Sequence, residues 1–185
     1  MKIPTLTLSL SLRERELPSP SRGGIGWGWD FRMHNNNIYL LVFTLDDQRY
    51  ALHASSANRV FPVVEITPLP EAPEIVTGIV NIRGKVIPVV NIRKRFLLPE
   101  KDTSLSDKLI ITNTHSRTVG IIVDEICDVI EYPQSGIMSS DNILSGMNYI
   151  DGVAKLKDGM ILIHDIDTFL SLEEEKKLDD AVNKL

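Results

Sequence analysis

Residues 78–92 carry the clearest structural signal of the chain and read Gly78-Ile-Val-Asn-Ile-Arg-Gly-Lys-Val-Ile-Pro-Val-Val-Asn-Ile92. Two short apolar runs, 77–82 and 86–90, stand on either side of Arg83-Gly84-Lys85. Short runs rich in Val and Ile, separated by a glycine-containing turn, are typical of a β-hairpin. Gly84 suits this turn because glycine adopts a positive φ without steric cost. The sequence therefore predicts two antiparallel strands joined at 83–85.

The same pattern recurs without gaps in residues 152–166. The positions that agree in type are Gly78/Gly152, Ile82/Leu156, Arg83/Lys157, Ile87/Ile161, Asn91/Asp165 and Ile92/Ile166. A second gapless match aligns residues 40–61 with 109–130, and it pairs Leu40/Leu109, Leu52/Ile121, Val60/Val129 and Phe61/Ile130. Because both matches occur in the same order, we predict two similar β subdomains of about five strands each. Closure into small barrels would leave such subdomains few free edges.

The remaining β-rich runs and the end of the chain complete the predicted order of elements. Further strands are predicted over 39–45, 49–54, 108–113, 118–123, 127–131, 149–156 and 160–164. Residues 165–185 are predicted to be helical, because Ser171 and Glu174 have capping-box spacing and apolar residues recur every three to four positions. The apolar positions of this segment are Ile166, Phe169, Leu170, Leu178, Ala181, Val182 and Leu185. This stripe could bind a partner, but apolar stripes usually face a core, so we expect it to pack on a barrel.

Residues 1–32 differ in composition from the rest of the chain. They contain three of the ten prolines and four of the eleven glycines. Serine and threonine interrupt every apolar stretch, which excludes a secretory signal peptide. Alternating leucines in 6–12 would permit one extra edge strand, but we expect a disordered leader, with Met33 as a candidate start of the protein. Residues 33–170 then form the two-barrel domain.

Composition excludes several classes of function. The 185 residues have a net charge of −5, which argues against a general nucleic-acid binder because such a protein needs a basic face. The longest apolar runs, 38–43 and 86–90, are far shorter than the ~20 residues of a membrane-spanning helix. The single cysteine, Cys127, excludes an internal disulfide and a multi-cysteine zinc site, and it fits a reducing cytoplasm. We expect Cys127 to be a small core residue.

No catalytic constellation is visible in the sequence. The four histidines form no metal-ligand pair, and the chain has no Gly-x-Ser-x-Gly or Walker motif. The densest polar group is His164, Asp165 and Asp167, which we interpret as a strand end that runs into a helix cap. The alternative is an enzyme or ligand-binding barrel that uses these three residues. We predict no catalytic residue, no cofactor and no metal.

The motif Gly78-x-x-Asn81-x-Arg83-Gly84-x-x-x-Pro88-Val89 resembles the CheW family, the adaptor proteins of bacterial chemotaxis. The stretches 66–73, 119–130 and 149–156 are similar to further signatures of that family, so the resemblance covers about residues 38–170. It implies a mainly β fold of two five-stranded SH3-like barrels plus a C-terminal helix.

The resemblance also implies a function. Such proteins are non-catalytic scaffolds of two-component signal transduction, and they couple transmembrane chemoreceptors to a histidine kinase whose regulatory domain has this same fold. The implied location is the cytoplasm, at receptor arrays beneath the inner membrane, with membrane contact only through the receptors. An alternative within the same class is a sensory array that controls pili or another output.

The implied partner-binding residues are Arg83, Asn81, Gly84, Arg59, Ala57 and Val60. Arg83 is the family's characteristic arginine, and a turn would direct its five N–H donors outward; the alternative is an ordinary solvated arginine. Asn81 is expected to support the turn. The chain departs from the family at Ala57-Asn-Arg59-Val60, where Val-x-Glu-Val is frequent, and at His53, where proline is frequent. Arg59 therefore reverses a charge near the expected receptor side.

Overall fold

The computed structural model describes residues 36–139, 149–157 and 159–184. The strands in these ranges are β1 Asn37–Leu45, β2 Gln48–His53, β3 Ala57–Pro62, β4 Val76–Ile82, β5 Lys85–Val90, β6 Lys108–Asn113, β7 Thr118–Val123, β8 Glu125–Pro133, β9 Ile137–Ser139, β10 Ile150–Leu156 and β11 Gly159–His164. The helices are α1 Ile92–Arg95 and α2 Leu172–Val182, with short 3₁₀ turns at Gln134–Gly136 and Ile166–Thr168. The expectations for the 1–32 leader, Met33 and Leu185 concern residues outside these ranges.

The strands form two sheets. The first has the order β8-β1-β2-β11-β10-β9 and the second has the order β3-β6-β7-β5-β4. In the first sheet, the hydroxyl oxygen of Tyr132 in β8 lies 3.1 Å from both the backbone N and the carbonyl O of Lys155 in β10, which joins opposite ends of the sheet. We call the two units the first and second barrel. The predicted mainly β fold of two five-stranded barrels with a C-terminal helix is confirmed, with β9 as an additional strand.

The internal repeat is present, but the two halves of the chain are interleaved. The sequence matches align β1 to β5 with β6, β7, β8, β10 and β11. Under this alignment the sheet order β8-β1-β2-β11-β10 is equivalent to β3-β6-β7-β5-β4. Each barrel therefore takes two strands from one half of the chain and three from the other, which the repeat alone does not predict.

Two glycines of the repeat are explained by a close approach of the backbone. A Cβ atom on Gly78 would lie 2.3 Å from the carbonyl oxygen of Thr67, and one on Gly152 would lie 2.9 Å from the carbonyl oxygen of Met138 in β9. Thr67 bridges the residue after Gly78, and β9 pairs with the residue after Gly152. The short strand β9 is thus the first barrel's equivalent of the Thr67 segment.

Apolar side chains form three clusters, one inside each barrel and a larger one between them. The first barrel encloses Leu40, Val42, Ala51, Ala154, Ile161 and Ile163. The second encloses Val80, Ile87, Val89, Leu109 and Ile111. The inter-barrel core contains Leu41, Phe43 and Leu45 from β1 together with residues from β2, β5, β6, β7 and the C-terminal segment. Because β1 is buried on both faces, its sequence is a continuous apolar run instead of an alternation.

The C-terminal segment packs on its own barrels, as predicted. The side chains of Ile166, Phe169, Leu170, Leu178 and Ala181 are buried in the inter-barrel core. The segment comprises two elements instead of one helix: Asp165 caps the 3₁₀ turn, and α2 begins after Ser171 with both halves of the capping box present. The sequence therefore identified the capping box correctly, left the first cap open between Asp165 and Asp167, and missed the break between the two elements.

Three local predictions were wrong, each at an edge or a bulge. Strands β3 and β9 were not predicted, because β3 exposes Asn58 and Arg59 and β9 has only three residues. Cys127 is exposed, so it is not a core residue. In the ladder with β1, Val42 pairs with Asp128 and the next residue pairs with Ile126, so Cys127 is the unpaired residue of a β-bulge.

Candidate partner-binding site

The hairpin between β4 and β5 has a two-residue turn, one residue shorter than predicted. Strand β4 ends at Ile82 and β5 begins at Lys85. The turn residues Arg83 and Gly84 have φ values of 54° and 82°. Positive φ at both positions is the signature of a type I′ turn, whose twist matches that of the flanking strands.

Asn81 holds this turn together through its side chain. Its Oδ1 accepts a hydrogen bond from the backbone N–H of Gly84, at 2.9 Å. Asparagine commonly forms such local side-chain to backbone bonds in turns. The bond gives Asn81 a supporting position at the tip, while Arg83 occupies the turn itself.

Arg83 is exposed and unpaired within the part of the chain that the structure describes. No hydrogen bond or ion pair joins its guanidinium to a described residue. A positive φ is uncommon for a side chain with a Cβ atom, since it costs roughly 1–2 kcal/mol. Lys85 is also exposed, and Val86 is 48 % exposed. The tip thus presents two cations and an apolar side chain to solvent.

The second group of predicted residues lies on β3, an edge strand of the second barrel. Arg59 is exposed, and it pairs with Ile111 of β6 next to a β-bulge. Ala57 and Val60 are half-buried and pack against the inter-barrel core. Arg59 is therefore the most exposed member of this group.

The register places both groups toward one end of the second barrel. Ala57, the first residue of β3, pairs with Thr112 near the end of β6. Strand β5 runs parallel to β7, and both begin at the end where β6 turns into β7. The start of β3 and the Arg83 turn therefore lie toward the same end. Among described residues, no hydrogen bond or ion pair connects the two groups. The departure at His53 lies in the first barrel, where its Nε2 is 2.9 Å from Asp151 Oδ2.

His164, Asp165 and Asp167 do not converge on a common site. His164 is 2 % exposed, its Nδ1 lies 3.0 Å from the carbonyl oxygen of Tyr149, and burial lowers its pKa to about 4. Asp165 accepts the N–H of Asp167 as a cap, and Asp167 in turn contacts His115. Within the described ranges, no three His, Cys, Asp or Glu side chains come together as a metal site.

A buried ionic cluster was missed by the sequence reasoning. Arg93 in α1 is 6 % exposed, and its guanidinium donates to both carboxylate oxygens of Asp46 and of Asp124. Burial favours a higher pKa for Asp124, but hydrogen bonds from Lys101, from the Asp46 backbone and from Arg93 outweigh it and lower that pKa. The partners are 31 and 47 residues from Arg93, so no local motif indicates them.

The described residues form a β protein of two barrels with an exposed turn at Arg83, in which His164, Asp165 and Asp167 share no common site. No helix in the described ranges is long and apolar enough to cross a membrane. Residues 39–174 match the family model of the CheW-like domain. The chain belongs to the CheW-like domain family.

Named relatives agree with this assignment. The chemotaxis protein CheW of Treponema pallidum is 30% identical over 152 residues, covering 79% of this chain and 89% of that protein. The chemotaxis protein CheW of Klebsiella aerogenes is 25% identical over 143 residues, covering 76% and 86%.

A solved structure shows the same architecture. The scaffolding protein TtCheW from Thermoanaerobacter tengcongensis superposes with a TM-score of 0.68 at 30% identity, covering 74% of this chain and 94% of that one. This match confirms the predicted fold class of two SH3-like barrels.

Proposed function

We propose that this chain is a non-catalytic chemotaxis adaptor that couples transmembrane chemoreceptors to a histidine kinase in the cytoplasm, at receptor arrays beneath the inner membrane. Membership of the CheW-like family supports the adaptor class. The observation that carries the coupling role is the exposed Arg83 at the tip of the β4–β5 hairpin.

The Arg83 side chain can donate hydrogen bonds to acceptor groups at the tip of a receptor. A guanidinium offers five N–H donors in a planar fork that matches a carboxylate or adjacent backbone carbonyls. Lys85 adds a second positive charge beside it, so an acidic or carbonyl-rich helical surface is the complementary partner. Asn81 fixes the turn, which reduces the ordering cost that binding would otherwise carry.

Coupling requires that binding differs between receptor states. An adaptor that holds both receptor and kinase transmits a signal only by the difference in its binding free energy between the active and inactive arrangements. The kinase partner we propose carries a regulatory domain of this same fold. Weak contacts suffice in an array, since linked binding events gain effective concentration.

Arg59 is proposed to tune partner choice at the same end of the barrel. Its charge is opposite to the glutamate frequent in this family, and it is exposed on β3. A reversed charge at an interface rejects a partner that lacks the matching change. Ala57 and Val60 are proposed to support this strand from the inter-barrel core.

Arg83→Ala should weaken receptor control of kinase autophosphorylation, because losing a charge-assisted contact costs about 1.5–3 kcal/mol of binding. Arg83→Lys should restore only part of this control, since an ammonium lacks the planar fork. Arg83→Glu should be worse than alanine if the partner is acidic. The assay reconstitutes receptor, kinase and adaptor, and it measures phosphate incorporation beside binding. Full receptor-regulated activity with the glutamate variant would overturn the assignment.

Arg83→Asn separates the guanidinium from the turn. Asparagine adopts positive φ more readily than arginine, so we expect unfolding free energy at or above wild type by up to ~1 kcal/mol. The same variant should lose receptor control as Arg83→Ala does. Lys85→Ala serves as the neighbouring cation control and should lose much less. Normal coupling with Arg83→Asn would mean that only the turn geometry matters.

A further inference from the structure

The chain crosses between the barrels twice, through residues 54–56 between β2 and β3 and through one residue between β7 and β8. Strand β7 of the second barrel ends at Val123 and β8 of the first barrel begins at Glu125, so Asp124 alone connects them. The backbone N–H of Asp124 donates to the carbonyl oxygen of Thr44 in β1, at 3.0 Å. Asp124 is therefore the shorter of the two connections between the barrels, and its backbone is bonded to the first barrel.

The side chain of Asp124 is held by donors from three elements. Its Oδ2 accepts from the backbone N–H of Asp46 at 2.6 Å and from Arg93 Nη2 at 2.7 Å. Its Oδ1 accepts from Lys101 Nζ at 2.9 Å and from Arg93 Nη2 at 3.0 Å. Charge-assisted bonds of this kind are the stronger and more directional hydrogen bonds in proteins.

Arg93 extends the cluster across both barrels. It follows β5 of the second barrel, and it donates to both carboxylate oxygens of Asp46, each at 3.0 Å, in the β1–β2 turn of the first barrel. We call Arg93, Asp46 and Asp124 the buried clamp. The side chain of Arg93 is 7 % exposed and that of Asp124 is 18 % exposed, so water competes little with the bonds between them, whereas the Asp46 side chain is 50 % exposed.

The internal repeat places a second contact at the equivalent position. It aligns Asp46 with His115 and Arg93 with Asp167, and these two also meet, with His115 Nδ1 2.7 Å from Asp167 Oδ2. The acidic and basic side chains have exchanged places, and this exposed clamp likewise joins the two barrels. The His115 side chain is 91 % exposed, and exposed ion pairs contribute little. The molecule thus carries one buried and one exposed clamp at matching places.

We propose that the buried clamp fixes the orientation of the two barrels, which makes Arg93 and Asp124 positioning residues for the adaptor. The exposed clamp contributes little to that orientation. The proposal rests on the proposed function in one respect: receptor and kinase surfaces must be held in a fixed relation for receptor control to pass through the adaptor.

The inter-barrel distance tests the clamp directly. Cys127 is the only cysteine and is exposed on β8 of the first barrel, and Thr77→Cys adds an exposed site on β4 of the second. Spin labels at both sites report the distance distribution by pulsed electron resonance. We expect Asp124→Asn to broaden and shift this distribution. Asp167→Asn, the matched change in the exposed clamp, should leave it unchanged.

A double variant separates positioning from stability. Removing one partner of a buried ion pair leaves the other charge uncompensated, whereas replacing both is often nearly neutral. Arg93→Met with Asp124→Asn should therefore unfold at a denaturant concentration closer to wild type than Arg93→Met alone. The distance distribution of the double variant should remain broad. A distribution as narrow as that of wild type, or equal broadening by Asp167→Asn, would overturn the proposal.

Binding measurements keep the two proposals distinguishable. Wild-type adaptor should bind a receptor signalling fragment and the kinase separately. Asp124→Asn should retain both separate affinities while receptor control in the three-component reaction falls several-fold. Unchanged control despite a broadened distribution would refute the positioning role. Failure of the wild-type chain to bind either partner would refute the proposed function, and the distance data would still decide whether the clamp sets barrel orientation.

Discussion

Phe169→Ala is expected to lower the free energy of unfolding by about 3–5 kcal/mol. The Phe169 side chain is 1 % exposed and lies in the inter-barrel core. Its ring meets that of Phe96 edge to face, with ring centroids 5.7 Å apart. Removing a buried ring loses its transfer free energy and leaves a cavity that neighbours fill only in part. Urea unfolding of the two proteins measures the difference.

Leu172→Ala is the matched control for this experiment. Leu172 lies three residues further along the same segment, at the first position of α2, and its side chain is 85 % exposed. An exposed substitution of this kind changes stability by no more than about 0.5 kcal/mol. Equal stability of the Phe169→Ala and wild-type proteins would mean that this apolar stripe is not part of the core.

Local signals in the sequence predicted the elements that depend on neighbouring residues. The Arg83-Gly84 turn, the Asp165 cap and the Ser171–Glu174 capping box are each decided within a few positions. Their geometry follows from side-chain chemistry that the sequence displays directly. The positive φ of Arg83 was not foreseen, because arginine rarely adopts it and only the strand register requires a two-residue turn.

Features that depend on distant pairing were not predictable in the same way. The repeat predicted two subdomains of about five strands each, but the exchange of strands between the halves of the chain is set by hydrogen bonds between distant strands, which leave no local pattern in the sequence. The partners of Arg93 are distant in sequence: Asp46 lies 47 residues before it and Asp124 lies 31 residues after it. Cys127 was misplaced because a bulge in β8 shifts the alternation of faces by one residue.

Part of the candidate site followed from the sequence and part did not. Arg83 and Asn81 stand in one motif, so their proximity at the hairpin tip was predictable. Ala57, Arg59 and Val60 are consecutive or nearly so, yet only the ladder with β6 shows which of them face solvent. Alternation along an edge strand with a bulge cannot be assigned from sequence, since the extra residue changes which side chains point inward.

His164 should make folding stability depend on pH between about 4 and 6.5. The ring is buried, it stacks on Phe96 with centroids 4.1 Å apart, and its Nε2 has no hydrogen-bond partner among the described residues. Burial lowers its pKa from 6.5 to about 4, although the bond to the Tyr149 carbonyl opposes this. The folded protein therefore keeps His164 neutral at pH values where the unfolded chain binds a proton.

The sign follows from proton binding in the two states. As the pH falls from 6.5 toward 4, the unfolded state gains a proton that the folded state lacks, so stability decreases. The full decrease is about 3.5 kcal/mol, from roughly 1.4 kcal/mol for each pKa unit. Urea unfolding at about pH 7 and about pH 4.5 measures most of this change, because the interval covers most of the window between the two pKa values.

His164→Phe isolates this contribution from the carboxylates that titrate at lower pH. A phenyl ring preserves the stacking on Phe96 and removes the titrating nitrogen, so the variant should lose much less stability over the same pH interval. If the His164→Phe and wild-type proteins lost stability in parallel, the buried imidazole would have to accept its proton in the folded state. The protonated Nε2–H would then need a hydrogen-bond acceptor, and the described residues provide none.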